Sequence, residues 1–230
     1  MDGTSLMLDS MSLGRAQPTW RVPTFTNAAP AAKSHLKAAV DVLLSAILLV
    51  LLAPLLAAIA AAIKLTSPGP VLFMQERVGY QGALFGMLKF RTMYHGADAL
   101  EAELAAAARG RTFLKIEDDP RVTPLGRWLR KSSLDELPQL YNVLRGDMSL
   151  VGPRPILLSD FFKFPRGHEM RRFTAKPGLT GLWQVSGRSL VSDVQRIELD
   201  LVYVDCWSVG LDALIIARTI PAVLSGRGAC

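Results

Sequence analysis

Cysteine is almost missing from this chain, with two residues in 230, Cys206 and the terminal Cys230. That excludes a disulfide framework and a cysteine zinc site, and it points to a reducing compartment. Histidine is nearly as scarce. His35, His95 and His168 lie far apart without ligand spacing, so each reads as a surface residue. There is no G-x-G-x-x-G or Walker pattern, no nucleic-acid motif and no internal repeat. The formal charge of +6 therefore suits an anionic membrane surface or an anionic substrate, with no nucleic acid among the partners.

Apolar sequence, by contrast, is abundant: hydrophobic residues make up 50% of the chain, and the mean hydropathy is positive, high for a purely soluble protein. Residues 1–36 are rich in Ser, Thr, Pro and Ala without sustained periodicity and read as a mobile tail ending in the basic patch Lys33, His35, Lys37. From Val42 to Ile63 the chain is apolar except for Ser45 and contains Pro54, which makes it a membrane segment by length. It is too long, and lies behind too long a tail, for a signal peptide. Lys33 and Lys37 precede it and Lys64 follows, so charge pulls both ends to the same side. Pro54 divides the run into pieces of about 18 Å and about 15 Å, each roughly half the hydrocarbon thickness. The expectation is a re-entrant helix-break-helix over 37–66, with Asp41 pairing Lys37 at helical spacing.

Ser67-Pro68-Gly69-Pro70 ends that element. Val71 to Phe73 and Leu84 to Arg91 then read as short strands around Gly79-Tyr80-Gln81-Gly82. Lys89 and Arg91, two apart, point to one face, which is either a diphosphate platform or an ordinary charged strand face. Ala97 to Ala108 reads as an alanine-rich surface helix. Asp118-Asp119-Pro120-Arg121 reads as a capped turn rather than a metal pair. Thr123-Pro124 opens a helix with Leu125, Trp128 and Leu129 inward and Arg127, Arg130 and Lys131 outward.

The densest stretch is RKSSLDELPQLYNVLRGDMSLVGPRP, Arg130 to Pro155. Ser133 and Glu136 fit a capping box, Leu137, Leu140, Tyr141 and Leu144 recur at helical spacing, and Arg145-Gly146 supplies a stop. Either Ser133 or Asp135 is the cap. In both cases Asp135 and Glu136 occupy the first turn, where free amides and the dipole favour negative charge, on the protein or on a bound phosphate. Capping alone accounts for an isolated Asp-Glu pair; the cations crowded around this one point to phosphate chemistry. Arg154, between Pro153 and Pro155, has a nearly fixed backbone and a guanidinium that can be pre-aimed at a phosphate.

Further on, Phe161, Phe162 and Phe164 among Lys163, Arg166, Arg171 and Arg172 suit either a headgroup layer or a core helix. Lys176-Pro177-Gly178-Leu179-Thr180-Gly181 and Gly187-Arg188 surround Trp183 and Gln184, a cationic, glycine-rich pair of loops open to a nucleotide. Asp193 caps a helix through Tyr203, and Leu211 to Ile220 forms an apolar helix in which Asp212, Arg218 and Pro221 argue against spanning.

LKFRTM, DDPRVTPLGRWLRKSSLDELPQLYNVLRGDMSLVGPRP and KPGLTGLWQVSGR, in that order, resemble the monotopic phosphoglycosyl transferases over most of the chain, Lys37 to Arg227. These enzymes attach a sugar phosphate from a nucleotide sugar to a polyprenyl phosphate in bacterial glycan assembly. The chain is most similar to short members that initiate exopolysaccharide with galactose or glucose phosphate. The resemblance implies Asp135 as nucleophile and Glu136 as Mg²⁺ ligand, with Lys89, Arg91, Arg130 and Arg154 sharing the diphosphate charge and Gln184 and Arg188 contacting substrate. It also implies a membrane break at Ala53-Pro54, although the family usually places Ser where Ala53 stands. The implied partners are a UDP-hexose, undecaprenyl phosphate, membrane lipids, a second copy as a homodimer and downstream glycosyltransferases. The implied location is the cytoplasmic face of the bacterial inner membrane. Two other readings stay open, a membrane-bound nucleotide-sugar diphosphatase using Asp135 and a non-catalytic polyprenyl-lipid-binding assembly protein.

The expected fold is α/β, a helix-rich α+β domain with a small sheet. Its parts are a tail over 1–36, the re-entrant membrane helix over 37–66, and a membrane-associated transferase domain over 67–230.

Overall fold

A computed structural model describes residues 31, 34–97, 119–163, 167–187 and 191–224. Arg188, Asp118, Phe164, Arg166, nearly all of the expected 97–108 helix and most of the 1–36 tail lie outside the described residues.

The apolar run folds as one helix, α1, His35–Thr66, opened by Ser34, whose hydroxyl accepts from the Lys37 amide at 3.2 Å. Its length and composition suffice to cross a membrane. One side packs on the body of the protein. Leu44, Leu48 and Leu52 meet a core built on Met87, Leu140, Val143, Met148, Tyr203 and Ile215, while Ile59 and Ile63 meet Phe90 and Leu129. The other side is bare, with Val50 74% and Leu51 69% exposed, a surface too apolar and continuous to face water. The expected break at Ala53-Pro54 does not interrupt the helix, which continues through Pro54. Nor does Lys37 pair with Asp41. Lys37 donates to Asp212 at 2.7 Å, and Asp41 accepts from the Leu150 amide at 3.1 Å.

Strands β1 (Leu72–Val78) and β2 (Leu84–Phe90) form an antiparallel hairpin, longer in β1 than alternation suggests, around a 3-10 turn at Tyr80–Gly82. Helix α2 (Pro124–Ser132) follows, then a 3-10 turn at Leu134–Glu136 and helix α3 (Gln139–Arg145). In α2, Leu129 is buried as expected, but Trp128 is 54% exposed and Gly126 takes the inner position. A side chain at Gly126 would place its Cβ 2.0 Å from the Thr92 carbonyl, so the helix can seat on that strand end only through glycine.

Strand β3 (Ser149–Val151) pairs in parallel with β5 (Gly178–Thr180), and the short β4 (Ile156–Leu157) joins β1, giving the order β2-β1-β4 in the larger sheet. Helix α4 (Leu158–Lys163) places Phe161 in a second core with Val78, Met170 and Phe173, so this aromatic stretch is core at Phe161, while Phe162 is exposed. After a 3-10 segment at His168–Thr174 come α5 (Leu182–Val185), α6 (Asp193–Cys206) and α7 (Val209–Leu224). Ser192 rather than Asp193 caps α6, in a capping box with Gln195. Ile215 of α7 is fully buried against the core.

Candidate active site

The Asp135-Glu136 turn is not the first turn of a capped α-helix. Ser133 takes a left-handed conformation, φ 58°, and ends α2 by donating its amide to the Arg130 carbonyl, and the two carboxylates follow in the tight turn Leu134–Glu136 before α3 begins. The expected capping box is therefore absent; the positive φ uses Ser133 as a C-terminal stop. The turn is held from both sides. Leu134 packs on Phe90 and Leu129. Asn142, fully buried on α3, binds the edge of β2 through its Oδ1 (Leu88 amide, 3.0 Å) and its Nδ2 (Gly86 carbonyl, 2.8 Å).

That docking brings Lys89 of β2 onto the turn. Lys89 Nζ donates to Glu136 Oε1 at 3.1 Å. Arg154 completes a fork on the same carboxylate, Nη2 to Oε1 at 2.5 Å and Nη1 to Oε2 at 3.4 Å. Gly152 makes the loop possible, because a Cβ there would sit 2.3 Å from the Lys176 carbonyl. Burial acts to raise Glu136, but Arg154 and Lys89 outweigh it and hold the carboxyl well below its ordinary range. Glu136 in turn raises Arg154, and burial lowers Lys89.

Asp135 has the opposite character. Its carboxylate is buried and accepts no hydrogen bond among the described residues. Burial first, then the charge of Glu136, push it up to about 6 against the pull of Lys89, Arg130 and Arg154. The pKa values of two neighbouring carboxylates are thus driven apart, Glu136 held ionised by its cations and Asp135 unpaired and titrating near pH 6.

Both face a cleft of about 1060 Å³. Its polar end holds Lys89, Arg130, Asp135, Glu136 and Arg154; its walls include Leu48 and Leu52 of α1, Ile216 and Ile220 of α7, and Trp183 and Gln184 of α5. Arg130 Nε donates to Thr92 Oγ1 at 2.9 Å, and burial lowers its pKa. Gln184 donates to the Leu179 carbonyl at 3.3 Å, while its buried Oε1 has no partner among the described residues.

Arg91 lines the same cleft, but its guanidinium is engaged by the turn that follows α1. It is 6% exposed, and its guanidinium donates to the Pro68 carbonyl and to the carbonyl and hydroxyl of Ser67, which leaves Lys89 as the strand's cation on Glu136. The spacing argument holds for a strand but Arg91 lies just beyond β2, where the chain leaves the sheet. Two contributors escaped the sequence reading: Thr92, which holds Arg130, and Arg196, whose guanidinium lies 5.0 Å from the Trp183 ring centre on the cleft wall. Thr92 lies within the LKFRTM motif without a role assigned to it there, and Arg196 carries no local signal.

Residues 32–226 match the profile of the bacterial sugar transferases. The chain belongs to that family. The transferase is 41% identical over 197 residues to the exopolysaccharide production protein ExoY of Sinorhizobium fredii, covering 84% of this chain and 87% of that one. It is 47% identical over 196 residues to the UDP-glucose:undecaprenyl-phosphate glucose-1-phosphate transferase of Caulobacter vibrioides, with 82% and 70% covered. It is also 41% identical over 208 residues to the undecaprenyl-phosphate galactose phosphotransferase of Salmonella typhimurium, with 88% of this chain aligned but only 43% of that longer protein. The protein is an enzyme, a sugar transferase with one helix long and apolar enough to cross a membrane.

Proposed function

We propose that the transferase moves hexose 1-phosphate, galactose or glucose, from a UDP-hexose to undecaprenyl phosphate and releases UMP, as a first membrane step of exopolysaccharide synthesis. The observation that carries this reading is the division of labour in the turn: Glu136 is neutralised by Lys89 and Arg154, and Asp135 beside it is unpaired.

An Asp135 oxygen attacks the sugar-side phosphorus, forming a P–O bond while the bond to the UMP oxygen breaks, and UMP leaves. Undecaprenyl phosphate then attacks the same phosphorus, and the Asp135 carboxylate is restored. Two steps mean that each anionic reactant meets one phosphate centre at a time. Lys89, Arg154 and Arg130 supply positive charge at the polar end of the cleft, where charge develops during transfer.

The residues also suit Mg²⁺, which takes one or two carboxylates and completes its shell with substrate phosphates. Glu136 Oε2 carries only the 3.4 Å contact, and no cluster of three ligating side chains occurs among the described residues, so substrate oxygens are required. Glu136 would hold the ion, with Asp135 adjacent. When bound, Mg²⁺ neutralises the diphosphate so that an anionic nucleophile can approach.

The bare face of α1 supports placing the enzyme on a membrane, and the basic residues at both ends support the cytoplasmic face of the bacterial inner membrane. Single-turnover incubation with sugar-labelled UDP-hexose and no acceptor tests the chemistry. About one equivalent of UMP per enzyme and label on the protein are expected, both lost in Asp135→Asn. UMP release that strictly requires polyprenyl phosphate means direct transfer; continued turnover without acceptor means a diphosphatase.

A further inference from the structure

Asp200 is the most deeply buried acid among the described residues, 1% exposed on α6, and the chemistry above makes no use of it. Among the described residues one of its oxygens, Oδ1, has no partner; the other, Oδ2, accepts from Arg172 Nη2 at 2.5 Å. Burial pushes Asp200 up to about 6 even with Arg172 beside it. Such a buried pair is weak as a stabiliser, because the desolvation of both ions offsets their attraction, and apolar replacements of similar volume are often as stable. Its burial at this position therefore points to a role other than stability.

The same Arg172 nitrogen also donates to the carbonyl of Arg154 at 2.9 Å. Arg154 lies in the Gly152-Pro153-Arg154-Pro155 loop, where each proline fixes its own φ and Pro155 holds Arg154 in the extended region, so the direction of the Arg154 carbonyl reports the backbone that carries its side chain. The neighbouring carbonyls are held by the rest of the fold: Val151 by the Tyr203 hydroxyl at 2.9 Å, Pro153 by the Gly178 amide at 2.8 Å and Pro155 by Arg77 at 3.4 Å. Arg172 holds the one between. Eighteen residues separate it from Arg154 in sequence, and its own aim is set by Asp200.

We propose that Arg172, held by Asp200, is a positioning residue that locks the Arg154 carbonyl and so aims the Arg154 guanidinium at Glu136. This rests on the reading that the Asp135-Glu136 turn carries the transfer. Without that lock the Arg154 side chain samples several directions, Glu136 loses its fork, and the transfer step slows, whereas the open cleft and its remaining cations still admit the nucleotide sugar.

The decisive variant is Arg172→Met/Asp200→Leu, which removes the ion pair together with its desolvation cost and keeps the volume. The full-length enzyme is assayed for lipid-linked sugar phosphate with UDP-hexose and undecaprenyl phosphate, alongside melting curves. The expected result is a fold as stable as wild type, kcat lowered at least tenfold and KM for UDP-hexose within about threefold. Wild-type kcat in the folded double variant overturns the proposal, as does a loss carried by KM with kcat intact. If the double variant does not fold, Arg172→Lys decides: it keeps the buried charge pair, but its shorter reach leaves the Arg154 carbonyl unbonded, so a folded Arg172→Lys enzyme with wild-type kcat also overturns it. Absence of lipid-linked product from the wild-type enzyme would instead remove the transfer reading itself.

Discussion

Asp135 and Glu136 are adjacent in sequence yet chemically opposite, and the difference comes from what the fold sets beside each. Glu136 collects Lys89 and Arg154; Asp135 keeps burial and its neighbour's negative charge. A carboxyl whose folded pKa is raised to about 6 loses its nucleophilic form as pH falls through that value. The expected kcat/KM profile therefore has an acid limb near pH 6 that is absent from Glu136, which stays ionised throughout. The same shift has a stability sign. Ionised Asp135 costs stability above about pH 6, while below the unfolded-state value both states are protonated and the cost vanishes. Asp135→Asn should thus melt higher than wild type at pH 7.5, with the difference shrinking progressively as pH falls from 6 toward 4. A flat rate profile from pH 5 to 8, or equal melting at pH 7.5, contradicts this assignment.

Between elements, the junction of α1 and β2 is secured by Arg91, whose three bonds to Ser67 and Pro68 fix the turn through which the long helix enters the domain. A buried cation that satisfies carbonyls is strongly structural, because its removal leaves those acceptors unpaired. Arg91→Ala should cost about 2 kcal/mol or more, visible as a lowered melting temperature. In the fraction that stays folded, KM for UDP-hexose should change less than in Lys89→Ala. The reverse order, with Arg91→Ala stable and weak in substrate binding, would return Arg91 to the diphosphate site.

For the whole molecule, α1 packs on two core clusters while its far face stays bare, so one body presents an apolar side beside the cleft that holds Asp135 and Glu136. That arrangement suits an enzyme whose acceptor is a lipid. With Cys206 and Cys230 replaced by serine, single cysteines at Ser34 and Thr66 should label from the same side of the membrane. Opposite-side labelling would show that the helix spans.

Much of this protein is legible along the chain. The apolar run, the hairpin, the Pro124 start of α2, the Gly146 stop after α3 and the Asp135-Glu136 pair flanked by cations all depend on residues within a few positions of one another, the range over which helical and strand spacing carries information. Only the tertiary structure decided which cation serves which acid. Lys37 chose Asp212, 175 residues away, over Asp41 on its own helix; Arg91, at the edge of the cleft, chose Ser67 and Pro68 over Glu136; Arg172 chose Asp200 and the Arg154 carbonyl over the headgroup layer. A charged side chain can meet any acceptor that the closing chain brings within reach, and burial makes one choice far more favourable than the rest, so the partner is set by packing and not by spacing.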